Sequence, residues 1–131
     1  MVVLMRVTPW RRALLAFTIA AVCLTAGPAQ SQSRRVIRVT AERFSFTPSQ
    51  IVLAPGEEVE IRLKSDDTAH GFRVAGAGVN LVIPKRGYKE IVTTLKIDAA
   101  GRYEFECTRM CGAGHNFMRG VIIVRAPGSH Q

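Results

Sequence analysis

Val59-Glu60-Ile61-Arg62-Leu63-Lys64 alternates strictly between an apolar and a charged residue. That period of two is the signature of a strand with one face in a core and one in water. Immediately before it stands Ala54-Pro55-Gly56-Glu57, with Pro-Gly at the centre of a turn. Working outward, the same grammar repeats. Val36 to Ala41 alternates, Phe44 to Thr47 and Gln50 to Leu53 flank Pro48-Ser49, and Ser65 to Thr68 reads as a loop. Gly71 to Val74 opens another strand, Gly76 to Pro84 reads as an irregular excursion, and Tyr88 to Leu95 as a strand. Ala99-Ala100-Gly101 is a turn, Arg102 to Cys107 alternates, and a loop from Thr108 to Phe117 leads to a closing strand at Gly120 to Val124. No stretch carries helical periodicity. Short strands broken by turn residues predict an all-β sandwich or barrel of about eight strands, antiparallel throughout.

The first thirty residues differ in kind. Arg6, Arg11 and Arg12 precede the unbroken apolar run Ala13 to Leu24, and small and polar residues follow. This is the layout of a secretory signal peptide, with cleavage after Ala29. The run falls short of the roughly 20 residues a spanning helix uses, so an uncleaved membrane anchor is the second reading. Residues 1–29 are therefore signal or anchor, 34–126 the folded domain, and 127–131 a disordered tail. Arg11-Arg12 is a faint twin-arginine pattern, and Cys23 is a hydrophobe of the leader. The destination is the periplasm or another extracytoplasmic space, free or held at the outer face of the cytoplasmic membrane.

The whole chain has a formal net charge of +8, and removing residues 1–29 takes away three arginines and no acid, leaving +5. A nucleic-acid surface would cluster its cations in a stripe with interleaved aromatics. Here Arg38, Arg43, Arg62, Lys64, Arg73, Lys89 and Lys96 are scattered along alternating strands. Solvated strand faces account for them, and no nucleic-acid partner is expected. Only a possible N-terminal anchor would touch a membrane.

Chemistry concentrates in Cys107-Thr-Arg-Met-Cys111-Gly-Ala-Gly-His115-Asn-Phe-Met118. Two thiols, an imidazole and a thioether fall on one loop. Soft sulfur with imidazole selects copper or zinc over magnesium or calcium, and a weak Met donor favours copper. Gly112 and Gly114 let the loop curl tightly. A donor from a distant strand must complete the enclosure, and His70 is the candidate, since His130 lies in the tail. Taken singly, the residues have plainer readings. Cys107 and Cys111 could form a disulfide in an oxidising compartment, Met118 could be core filler, and His70 a hydrogen-bonded structural histidine. Met110 is read as no ligand, and Phe72 and Phe117 as apolar cover. Nothing in the chain suggests a catalytic triad or a carboxylate pair, so catalysis by this chain alone is not expected.

The pattern Cys-x3-Cys-x3-His-x2-Met, with His70-Gly71-Phe72 upstream, resembles the binuclear CuA domain of cytochrome c oxidase subunit II and of nitrous oxide reductase. Phe46-Thr-Pro-Ser-Gln-Ile-Val-Leu-Ala-Pro-Gly-Glu57 is similarly typical of cupredoxins. The resemblance implies a Greek-key β-sandwich in which Cys107 and Cys111 bridge two coppers. It further implies that His70 and His115 each bind one copper, that Met118 is an axial donor to one, and that the backbone carbonyl of Arg109 caps the other. It implies single-electron transfer between redox proteins, with a c-type cytochrome or a terminal oxidase as candidate donor or acceptor. The alternatives are a one-copper site that leaves Cys107 spare, and a copper-delivery module without redox turnover. Two departures stand out. Arg109 occupies the position where oxidase subunits usually carry Glu, and the only tryptophan, Trp10, lies in the leader. With no pair of N-terminal membrane helices to be read, a free-standing or singly tethered protein is expected.

Overall fold

The structure, a computed structural model, describes residues 33–128. The signal or anchor segment read at 1–29 and the last three tail residues lie outside the described residues. Two sheets face one another. Strands β1 (Arg35–Glu42), β2 (Ser45–Thr47), β4 (Glu58–Ser65) and β7 (Ile91–Lys96) form one, in the order β2-β1-β4-β7. Strands β3 (Gln50–Leu53), β5 (His70–Val74), β6 (Val79–Ile83), β8 (Gly101–Glu106) and β9 (Arg119–Val124) form the other, in the order β3-β9-β8-β5-β6. Among the described residues no helix is long and apolar enough to cross a membrane.

The β-sandwich expected from the alternation is present, and its inward faces are the apolar positions of that alternation. Val59, Ile61 and Leu63 of β4 are fully buried, and Ile61 and Leu63 pair across β1 with Ile37 and Val39. From the opposite sheet come Ile51, Leu53, Phe72, Val74, Ile83, Phe105, Ile122 and Val124. Phe46, Phe72 and Phe105 meet in one cluster, with ring centroids 5.2–5.7 Å apart.

Two expectations are corrected. The sheets are not antiparallel throughout, because β1 pairs with β4 and β3 with β9 in parallel. The cause lies at Pro48, which cannot donate to a ladder and so interrupts a strand. β2 and β3 run on from one another across that break, the first in one sheet and the second in the other. The chain then returns to the first sheet as β4, already pointing the same way as β1. Gly76 to Pro84 is not irregular either. It turns back through Gly76 and Gly78, both at positive φ, into β6, which pairs antiparallel with β5. This makes nine strands among the described residues. The strand placed at Tyr88 begins three residues later, at Ile91, and Tyr88 itself is exposed.

Candidate metal centre

β8 ends at Glu106 and β9 begins at Arg119, and these two residues are register partners. The intervening segment 107–118 therefore leaves and re-enters the sheet at one place, closed by the Cys107 amide donating to the Met118 carbonyl at 3.1 Å. Cys107 and Met118 are the next inward positions of their strands, so both side chains are carried beneath the loop, 5% and 0% exposed. A single 3₁₀ turn, His115–Phe117, forms the loop's far side. Successive residues of such a turn project about 120° apart. With His115 turned toward Cys111, Phe117 faces outward.

His70 is the first residue of β5, next to β8 in the sheet, and is fully buried. Its neighbour has to be glycine. A Cβ on Gly71 would lie 2.2 Å from the Thr108 Oγ1 and 2.6 Å from the Thr108 amide nitrogen. That closeness lets the Gly71 amide donate to the Cys107 Sγ at 3.3 Å.

All the donors singled out from the sequence converge. The Cys107 and Cys111 sulfurs are 3.8 Å apart and unbridged, so the disulfide reading is not what the fold adopts. His70 Nδ1 lies 3.9 Å from the Cys107 Sγ, and His115 Nδ1 lies 3.8 Å from the Cys111 Sγ. The Met118 Sδ is 3.8 Å from the Cys111 Sγ. The Cys107 thiol donates to the Arg109 carbonyl at 3.1 Å, while the Arg109 side chain is exposed. Two thiolates sharing one ion at roughly 2.3 Å in tetrahedral geometry would themselves stand about 3.8 Å apart. The donor set therefore suits a soft ion without rearrangement. His70, Cys107 and Cys111 form a compact group with all ligand atoms within 4.8 Å, and His115 stands outside it on the Cys111 side.

Several supporting residues carry no motif of their own. His70 Nε2 is 2.7 Å from the Asp67 Oδ1. A proton on Nε2 donated to that carboxylate leaves the Nδ1 lone pair facing the thiols. Asp67 also accepts from the amides of Arg43 (2.9 Å) and Thr68 (2.6 Å). Burial pushes its carboxyl up, but the His70 contact and these amides outweigh burial and bring it to about 2. The Arg43 Nε donates to the Cys111 carbonyl at 2.7 Å, so one residue braces the cysteine loop and, through its amide, the His70 loop. Phe44 seats the glycines, since a Cβ on Gly114 would come 2.3 Å from its ring. Asp67 had a signal in the sequence, a carboxylate three residues before a ligand candidate. Arg43 and Phe44 had none, being separated from the loop by nearly seventy positions. The reading of Phe117 as apolar cover is corrected, because it is 83% exposed, whereas Phe72 is wholly buried.

Without a cation, burial and the neighbouring Cys107 push the Cys111 thiol up to about 11. Binding a soft cation must displace that proton, so uptake strengthens as pH rises. Asp67→Ala is expected to weaken copper binding about 10- to 100-fold, the usual cost of losing a carboxylate that orients a ligating histidine. In the metal-free chain the sign of the acid effect is fixed. The folded Asp67 value of about 2 lies below the ordinary 3.8. Its contribution to stability is therefore complete above the ordinary value and is lost as pH falls through about 2. Competition titration with a copper chelator and acid unfolding followed by circular dichroism check the two effects, and the variant should lack the acid step.

The family model described as a cupredoxin-like domain matches residues 14–124. A cytochrome c oxidase subunit 2 of Thermus thermophilus is 30% identical over 105 residues, which cover 76% of this chain and 76% of that protein. Among solved structures, the periplasmic domain of subunit II of cytochrome oxidase of Bradyrhizobium japonicum superposes with a TM-score of 0.65 at 16% identity, covering 73% of this chain and 87% of that one. A heme-copper terminal oxidase dimer contains a chain that superposes with a TM-score of 0.63 at 24% identity, covering 73% of this chain and 68% of that one. These two likenesses are of fold.

Proposed function

The chain belongs to the cupredoxin-like family and is related to cytochrome c oxidase subunit 2, and from that membership we propose that it carries single electrons through a binuclear copper centre. The observation that supports this most is the pairing of one imidazole with each thiol, His70 with Cys107 and His115 with Cys111. Donors of a single ion at roughly 2.0–2.3 Å cannot lie more than about 4.6 Å apart, and His115 stands outside the compact group of His70, Cys107 and Cys111. Two ions sharing the thiolates would use all four side chains. Met118 would then be a weak axial donor on the Cys111 side and the Arg109 carbonyl a second weak donor near Cys107. When bound, such a copper pair accepts and releases one electron. The protein's part is to hold the donors still. Cys107 and Met118 sit at strand ends, Asp67 fixes the His70 tautomer, and Arg43 and Phe44 hold the loop, so little moves when charge changes.

The domain works outside the cytoplasmic membrane, released or tethered through residues 1–29, between a donor and an acceptor that are themselves redox proteins. A c-type cytochrome and a terminal oxidase fit those places. Electron paramagnetic resonance of the copper-loaded chain tests this reading. Hyperfine structure shared over two copper nuclei in a purple sample is expected. A single-nucleus pattern would leave the mononuclear alternative, and a colourless, silent sample the delivery alternative.

Met118→Leu is expected to keep its copper and raise the reduction potential, because loss of a thioether donor disfavours the oxidised form. A shift on the order of 60 mV corresponds to one decade of relative affinity for a one-electron couple. Spectroelectrochemical titration measures it, and complete loss of metal would count against an axial role.

A further inference from the structure

Opposite charges stand at the two ends of the donor set. At the His70 end is the Asp67 carboxylate, 2.7 Å from the imidazole Nε2. At the Cys111 end is the Arg43 guanidinium. Its Nε donates to the Cys111 carbonyl at 2.7 Å and would lie 3.7 Å from a Cβ added to Gly112, so the group rests against the Cys111–Gly112 peptide. Asp67 does not neutralise it. That carboxylate reaches Arg43 only through the backbone amide, and among the described residues Arg43 forms no ion pair. Arginine stays protonated at any working pH, so a permanent positive charge is held beside the cluster. The residue as a whole is exposed, and the bond to Cys111 is what keeps its side chain from roaming through rotamers in water.

Building on the electron-carrier reading, we propose that Arg43 is a positioning residue that raises the reduction potential of the centre through the charge it holds against Cys111. When one electron passes from a redox-protein donor to the centre, the cluster loses one unit of positive charge, and no proton or further reactant is needed. A fixed cation nearby repels the more positive, oxidised form and so favours the reduced one. The Asp67 carboxylate acts in the opposite sense. Bracing of the loop alone carries no such sign. A substitution at Arg43 keeps the backbone amide, so the Asp67 contact survives and only the side chain is varied.

Spectroelectrochemical titration of the full copper-loaded chain tests this, with copper content and circular dichroism measured on each sample. Arg43→Met, uncharged and of similar bulk, is expected to raise the oxidised-to-reduced ratio at a fixed applied potential about tenfold, which is a potential lower by about 59 mV for one electron. Arg43→Lys keeps the charge and should stay within about threefold of the parent. The Arg43→Met shift should shrink between about 0.01 M and 1 M ionic strength, where the screening length falls from roughly 30 to 3 Å. Lys96→Met controls for net charge. Lys96 is the register partner of Glu58, at the end of β4 away from Ser65 and the His70 loop, and its loss should move the ratio by less than about twofold.

Metal-free chain titrated with copper(I) against bicinchoninate separates charge from bracing. Two cuprous ions replacing two thiol protons leave the net charge unchanged, so Arg43→Met should bind copper(I) within about threefold of the parent. If Arg43→Met takes up no copper, Arg43→Gln against Arg43→Lys decides, with the lower potential expected for the glutamine variant. An unmoved or raised potential in the uncharged variant overturns the proposal. So does an Arg43→Lys chain that behaves like Arg43→Met, an equal shift in Lys96→Met, or a shift accounted for by weakened copper(I) binding. A parent chain without a reversible one-electron couple overturns the electron-carrier reading and this role together. A parent that has the couple, at a potential indifferent to the charge at position 43, overturns the role of Arg43 alone.

Discussion

Cys107→Ser is expected to reduce bound copper from two ions per chain to one at most and to abolish the shared hyperfine pattern. Serine offers a hard, weakly acidic hydroxyl where a soft thiolate is required. The change removes more than one bond. The Cys107 Sγ is within 4 Å of the Cys111 Sγ, the His70 Nδ1 and the Arg109 carbonyl, and it accepts from the Gly71 amide. It is therefore the atom that ties the β5 donor to the loop donors. Cys111→Ser should be at least as damaging, since that sulfur neighbours His115 and Met118. Metal analysis alongside paramagnetic resonance decides the matter. One copper in the parent, unchanged by Cys107→Ser, would leave only a mononuclear site.

Phe105→Ala is expected to destabilise the metal-free chain by about 3–5 kcal/mol, the range for emptying a large aromatic site in a packed core. Phe105 is fully buried and lies 5.3 and 5.2 Å, centroid to centroid, from Phe46 and Phe72. Its ring also fills the space over Gly120, where an added Cβ would come 2.1 Å from it. The surrounding sheets are hydrogen-bonded on both sides and cannot collapse into the void. For a domain of this size each kcal/mol lowers the melting temperature by about 4–8 °C, so a drop of at least roughly 12 °C is the outcome to look for by calorimetry. Metal must be absent, because ligand binding would mask part of the loss. A shift of only a few degrees would mean that the three rings do not share one core. Phe105 stands two residues before Cys107, and copper uptake in the variant should weaken as well.

The ligand candidates were legible because they share one short loop and have few rivals. Cys107, Cys111, His115 and Met118 are neighbours in the chain, and only three histidines exist in all. Arg43 and Phe44 were not legible as parts of the site, and the one signal for Asp67, its place three residues before His70, was faint. An aspartate in a Ser-Asp-Asp-Thr loop looks like any turn residue, and nothing about an arginine after a strand says that it will brace a loop nearly seventy positions later. Phe117 misled for a related reason, since an aromatic beside a ligand reads as cover until the pitch of a 3₁₀ turn shows which way it faces.

Alternation of period two, turn chemistry at Pro55-Gly56 and the spacing of soft donors are properties of neighbouring residues, and by themselves they determined an all-β domain and its candidate metal ligands. The parallel pairings of β1 with β4 and of β3 with β9 were decided only in three dimensions. So were the carboxylate behind His70 and the outward face of Met110 and Phe117. Each depends on which sheet a strand joins after Pro48 or on what packs across a gap, and hydrophobic burial rewards such choices only once the two sheets have met.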